Sequence, residues 1–421
     1  MRIIEQSGGK AENDMIKQIS GGVTAPKGFQ AIGVAAGIKK DRKDMAMIYS
    51  EAKCRAAGTF TTNVVKAAPV KWDQKIVYGN KAAHAVVVNS GVANACTGAE
   101  GMSYCQQTAQ KAAELFGIAE NEVLVASTGV IGKQIPIDKI KAGIALMQPM
   151  LADTEKAGTL AAEAIMTTDT VKKEIAVEVE LGGTTVTIGG MCKGSGMIHP
   201  NMCTMLSFVM TDADISQELL QKALSDSVTD TYNMVSVDGD TSTNDTCLLL
   251  ANAQAGNPAI TEENEDYKLF CEALNYVNTY LAKRMAADGE GATALFEVKV
   301  IGAESKAQAV TLAKSIVTSS LTKAAIYGHD ANWGRILCAM GYSGAQFDPE
   351  QVDLYFESAA GKIKIIENGV DTGYSEETAT KILSEKEVTA IAAVKMGNEA
   401  ATAWGCDLTY DYVKINADYR S

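Results

Sequence analysis

The chain has 421 residues, 47% of them apolar, and 38 Lys and Arg against 51 Asp and Glu give a formal charge of −13; this acidity repels polyanions and excludes general nucleic-acid binding. The first segment, Met1 to Lys10, has no apolar stretch, and no run approaches the ~18 uninterrupted apolar residues of a spanning helix, so secretion and membrane insertion are not expected. The nine cysteines are scattered without a C-x-x-C pair, which argues against a disulfide framework or zinc ribbon and for reduced thiols in the cytoplasm.

In chain order, Ser103 to Gly117 is predicted helical, with Cys105, Ala109, Ala112, Ala113 and Phe116 roughly on one face. Val123-Leu-Val-Ala-Ser-Thr-Gly129 reads as a strand ending in a glycine turn. Ile175, Val177, Val179 and Leu181 alternate, Gly182-Gly183 can turn, and Val186 and Ile188 return, which predicts a hairpin leading into Lys193. A helix is expected from near Asp214, with Gln217 three residues on as a capping box and Leu219, Leu220, Ala223, Leu224 and Val228 as its buried stripe. Another is expected from Tyr267 to Met285, ending at Asp288-Gly-Glu-Gly291. Farther on, Leu354 and Phe356, Ile363 and Ile365, and Tyr410, Tyr412 and Ile415 predict short strands. No repeat or low-complexity linker separates these elements, so one subdivided body is expected, with sheets packed on each other or covered by helices.

The chemistry concentrates in Lys193-Gly-Ser-Gly-Met-Ile-His-Pro-Asn-Met-Cys-Thr204-Met-Leu-Ser-Phe208. A threonine hydroxyl is a weak nucleophile unless a base adjoins it, and a terminal threonine carries that base in its own α-amine. Freeing the amine requires breaking the Cys203–Thr204 bond. Gly194 and Gly196 permit backbone shapes closed to other residues and Pro200 fixes φ, so the run suits a bond held ready for attack; by composition alone an ordinary turn ending in a strand is the favoured reading. Only three histidines are present, His84, His199 and His329, so a Ser/His/Asp triad has few candidates.

Over this run the sequence resembles the ornithine acetyltransferases, the glutamate N-acetyltransferases of arginine biosynthesis. Their signature reads Lys-Gly-Ser-Gly-Met-Ile-x-Pro-Asn-Met-x-Thr-Met. Ser127-Thr-Gly-Val-Ile-Gly132, Met166-Thr-Thr-Asp-Thr170, Asp238-Gly-Asp-Thr-Ser-Thr-Asn-Asp-Thr246, Asp288-Gly-Glu-Gly-Ala-Thr293 and Asn332-Trp-Gly-Arg335 are similar to family segments in the same order. Three departures stand out: Cys203 where alanine is usual, Val92 within Asn89-Ser-Gly-Val-Ala-Asn94 where asparagine is common, and Ser421 where threonine is common.

The resemblance implies an α+β fold of mixed layers, with an N-terminal-nucleophile-like sandwich core and a smaller C-terminal α/β domain. It implies self-cleavage into an α chain of residues 1–203 and a β chain of 204–421, the latter comprising 204–300, which completes the core, and 301–421. It further implies that Thr204 is the nucleophile, that Thr128 and Gly129 hold the oxyanion, and that Thr167, Lys193, Thr204, Glu290, Asn416 and Ser421 bind substrate. Acetyl would pass from N2-acetylornithine to glutamate by ping-pong kinetics; some relatives also accept acetyl-CoA as a co-substrate. No cofactor or metal is implied, and an α2β2 heterotetramer in the cytoplasm is the expected assembly.

Alternatives remain at this level. A self-processed aminopeptidase or amidase would use the same Thr204 with water as acceptor. The stretch Asp238 to Thr246 is rich in carboxylates and hydroxyls but lacks the frame of a calcium loop, so a hydrogen-bonded loop is expected there. Cys192, His199 and Cys203 match no zinc spacing.

Overall fold

The strand Met45–Phe60 organises the larger body. Its first part pairs antiparallel with Phe29–Val34 and with Ala82–Val92. After an irregularity between Tyr49 and Cys54, its far end pairs antiparallel with Thr246–Ala251. From there the sheet continues through Leu206–Thr211, Thr184–Lys193 and Lys173–Leu181; on the other side Ala82–Val92 leads to Val123–Val130. Val86, Val87 and Val88 are almost wholly buried, as expected of a strand whose partner Val123–Val130 runs parallel to it.

This computed structural model describes residues 15–199 and 205–418. Gln18–Gly291 and the segment beginning at Tyr410 form one unit, and Ala292–Thr409 belongs to a second. In the first, the helices Gln217–Asp230 and Glu265–Ala287 pack on Met45–Phe60 and on the hairpin strands respectively, while Glu155–Ala164 packs on Phe29–Val34. In the second, strands run in the order Val370–Asp371, Gly361–Glu367, Asp353–Ser358, Glu387–Ala393, Leu295–Ala303 and Glu399–Cys406, with the helix Lys306–Thr318 against the last two. The mixed α and β layers are those expected of the fold class. Among the described residues no helix is long and apolar enough to cross a membrane.

The hairpin forms as the alternation predicts, with Leu181 opposite Thr184 across the glycine pair. Three expectations are corrected. The helix near Asp214 starts at Gln217, capped by Ser216 accepting from the Leu219 amide, because the Asp214 carboxylate is engaged 2.7 Å from Arg55. The helix read from Ser103 begins at Gly98; within its first turn Gly101 is required where an added Cβ would lie 2.1 Å from Thr97 Oγ1. The run around Tyr410, Tyr412 and Ile415 is not a strand but the helix Tyr410–Asp418.

Candidate active site

Six of the sequence-derived candidates, Thr128, Gly129, Thr167, Lys193, Glu290 and Asn416, line one cavity. Ile198, before residues 200–204, and Met205, after them, also line it. Cys203, Thr204 and Ser421 lie outside the described residues.

Thr128 and Gly129 sit near the end of Val123–Val130, where the parallel register sets Ser90 beside Thr128 and Gly91 beside Gly129. Gly129 has φ +130°, and a Cβ there would fall 2.3 Å from the Gly91 carbonyl carbon. No other residue fits without moving one of the two strands. Asn244 ties the same region together, its amide donating to Ala93 O at 2.6 Å and Ser127 O at 2.8 Å. Gly129→Ala is therefore expected to lower stability by about 1–3 kcal/mol from backbone strain alone, seen as a lower thermal midpoint; an unchanged midpoint would show that the strands yield freely.

Below the cavity lies a buried ionic network. Lys173 is fully buried, and its ammonium donates to Asp169 at 2.7 Å and to Asp288 at 2.6 Å. Asp169 also accepts from the amides of Gly194 at 2.7 Å and Thr167 at 3.0 Å, joining the Met166–Thr170 segment to the start of the glycine-rich run. Asp288 accepts from the Thr170 amide at 3.1 Å and from the Thr170 hydroxyl. Burial pushes the Asp169 carboxyl upward, but Lys193 and Lys173 beside it prevail and hold it well below the ordinary carboxylate range. Burial lowers the Lys173 ammonium, yet Asp169 and Asp288 raise it above its ordinary value.

Lys193 stands 3.7 Å from Asp169, and its side chain is 9% exposed. That separation is too long for a good hydrogen bond, which leaves ammonium donors for a ligand anion. Glu290 supplies the opposite charge. Its amide donates to Ser195 O at 2.9 Å, its carboxylate accepts from the Asn416 amide at 2.8 Å, and it packs where a Cβ on Gly196 would stand 2.3 Å away. A fixed cation and a fixed anion lining one cavity suit a small zwitterion.

Sequence reasoning missed Asp169, Lys173 and Asn244 as supports, although Asp169 and Asn244 lie inside the motifs that carried the resemblance. Cys192 is no zinc ligand candidate: burial pushes its thiol up to about 12, and its sulfur faces Leu281 O at 3.7 Å. Asp238 to Thr246 is the hydrogen-bonded loop anticipated, with Asp238 accepting from the amides of Met197 at 2.6 Å and Ile198 at 2.8 Å.

A polar cavity with paired charges on a mixed α/β scaffold suits an enzyme acting on small molecules. The chain belongs to the ArgJ family, whose model matches residues 30–421. The arginine biosynthesis bifunctional protein ArgJ of Thermotoga neapolitana is 52% identical over 94% of this chain and 99% of its own length. The corresponding ArgJ 1 of Clostridium acetobutylicum is 54% identical over 93% and 96%. A solved structure of the arginine biosynthesis bifunctional protein from Bacillus halodurans shares 48% identity over 51% of this chain and 100% of that one, with a TM-score of 0.49.

Proposed function

We propose that this chain is a self-cleaving acetyltransferase of arginine biosynthesis, moving acetyl from N2-acetyl-L-ornithine to L-glutamate through an ester on Thr204. The observation that carries the proposal is the cavity in which Thr128, Gly129, Lys193 and Glu290 meet the residues flanking positions 200–204. Met205, the covalent neighbour of Thr204, is one of them.

In the maturation step the Thr204 hydroxyl attacks the Cys203 carbonyl, the Cys203–Thr204 amide becomes an ester, and water hydrolyses it. The products are a carboxylate on Cys203 and a free α-amine on Thr204. Cys203 contributes its carbonyl, which alanine would supply equally. In transfer, the α-amine, with a reference pKa of ~7.7–8.0, takes the proton of its own hydroxyl. The oxygen attacks the acetyl carbonyl, and the Thr128 hydroxyl and Gly129 N–H stabilise the oxyanion; one such donor is worth ~3–4 kcal/mol of barrier. The leaving ornithine amine takes the proton back, and glutamate then attacks the acetyl ester by the reverse sequence. Lys193 binds the α-carboxylate and Glu290 the ornithine side-chain ammonium, while Thr167, Asn416 and Ser421 complete the binding set. No cofactor is needed. The proposal extends to acetyl-CoA as a second donor and to a cytoplasmic α2β2 assembly of the cut chains.

Initial rates over a grid of acetylornithine and glutamate test this proposal. Parallel double-reciprocal lines, with one N-acetylglutamate formed per ornithine released, are expected from the double displacement. Intersecting lines would contradict the ester intermediate. Free acetate in place of N-acetylglutamate would make the protein a hydrolase with the same nucleophile.

A further inference from the structure

The helix Tyr410–Asp418 brings Asn416 to the cavity, yet it contains no buried residue. Tyr410 is 83% exposed and Val413 64%. Apolar burial, which docks most helices, therefore contributes little here, and a helix of this length is marginal when isolated. Two side-chain hydrogen bonds tie it to the described residues of its unit. Asn416 donates to Glu290 at 2.8 Å, and the Tyr412 hydroxyl donates to Asp238 Oδ2 at 3.3 Å. Its backbone closes on Gly291, where an added Cβ would meet the Tyr412 nitrogen at 2.6 Å.

Asp238 is the shared member. The oxygen that accepts from Tyr412 also accepts from the Met197 amide, and its partner oxygen accepts from the Ile198 amide. Met197 and Ile198 are both cavity wall. The loop grips the same stretch again: Val237 donates its amide to Ile198 O at 2.7 Å, and the Thr241 hydroxyl donates to His199 O at 2.8 Å. One carboxylate thus joins the wall that follows the glycine-rich run to the helix that carries Asn416.

We propose that Asp238 and Tyr412 are positioning residues that dock the C-terminal helix and fix the cavity wall as one event, so that Asn416 and the Met197–Ile198 backbone take their substrate-binding places together. Neither touches the reacting atoms. The kinetic consequences rest on the acetyl transfer proposed above; the docking itself does not.

The test is a double-mutant cycle of Tyr412→Phe and Asp238→Asn in the full chain, read by kinetics and by amide hydrogen exchange. Tyr412→Phe is expected to speed exchange of the 410–418 amides and to raise KM for glutamate about fivefold, with kcat held within about twofold. Asp238→Asn is expected to raise KM about tenfold and also to lower kcat, because the wall loses its acceptor. The double variant should match Asp238→Asn within about twofold, since Tyr412 acts through that carboxylate. Asp240→Asn, which removes a neighbouring exposed charge and leaves these bonds intact, should behave as the unmodified protein and so excludes a simple charge effect. Additive effects in the cycle, or unchanged exchange of the 410–418 amides in Tyr412→Phe, would overturn the proposal. So would faster exchange spreading to the strands Thr184–Lys193 and Leu206–Thr211, which would mark general destabilisation. If the unmodified protein transferred no acetyl to glutamate, the proposed function would fail, and the exchange measurement would still decide the docking.

Discussion

Thr204→Ala is expected to leave the chain in one piece of 44.4 kDa and to reduce acetyl transfer by about 10⁴-fold or more, the scale seen when a nucleophile is deleted from a covalent mechanism. Both losses have one cause, because the same hydroxyl opens the chain and later carries the acetyl group. None of the three histidines is among the described residues that line the cavity. His84 holds Ser50 O through Nδ1 at 2.9 Å, and His199 faces Ser236 Oγ at 3.1 Å; neither lines the cavity. Thr204→Ser keeps a hydroxyl and an α-amine, and is expected to cut and to transfer within about tenfold of the unmodified protein. Gel analysis of the purified variants and a transfer assay check both outcomes; transfer by an uncut alanine variant would remove Thr204 from the mechanism.

Lys173→Met is expected to lower stability by about 3–5 kcal/mol, the usual result of breaking a buried ion pair and leaving its partner charged. Here two partners are left, since Asp169 and Asp288 both depend on that ammonium and their side chains are only 0% and 6% exposed. Methionine fills similar volume but cannot satisfy either carboxylate. Transfer should fall as well, because Asp169 holds the amides of Thr167 and Gly194. For comparison, loss of the exposed Lys222–Glu263 pair should leave the thermal midpoint almost unchanged. The pH dependence has a defined sign. Asp169, held below its ordinary range, contributes stability above the unfolded carboxylate pKa near ~3.9, and that contribution is lost as pH falls through its folded value. Lys173, held above its ordinary value, contributes fully below the unfolded pKa near ~10.4 and loses its contribution as pH rises through its folded value. The network is therefore at full strength between about pH 4 and 10, and the thermal midpoints of Lys173→Met and the unmodified protein at neutral pH measure its worth. A Lys173→Met midpoint within a degree of the unmodified protein would contradict this account.

The elements that were legible in the sequence are those stabilised by their own neighbours. The hairpin Lys173–Leu181 and Thr184–Lys193 declares itself by strict alternation about a glycine pair, and Gln217–Asp230 by its stripe of Leu219, Leu220, Ala223, Leu224 and Val228. The misread elements depend on distant partners. Tyr410, Tyr412 and Ile415 alternate like a strand, but the helix they belong to is held by Asp238 and Glu290, more than a hundred residues earlier. Asp214 looks like a cap, and Arg55 had already claimed it. Of the candidate site, Thr128, Gly129, Lys193 and Glu290 came from their place in family-like motifs rather than from spacing. Lys173 reads locally as an ordinary strand lysine, and only the folded chain buries it between two carboxylates.

Intact-mass measurement of purified protein, before and after exposure to N2-acetylornithine, tests the nucleophile most directly. Two fragments meeting at Cys203 and Thr204 are expected, the second gaining one acetyl group with the donor and losing it when glutamate is added. A single 44.4 kDa species that turns over at full rate and never carries acetyl would contradict the account.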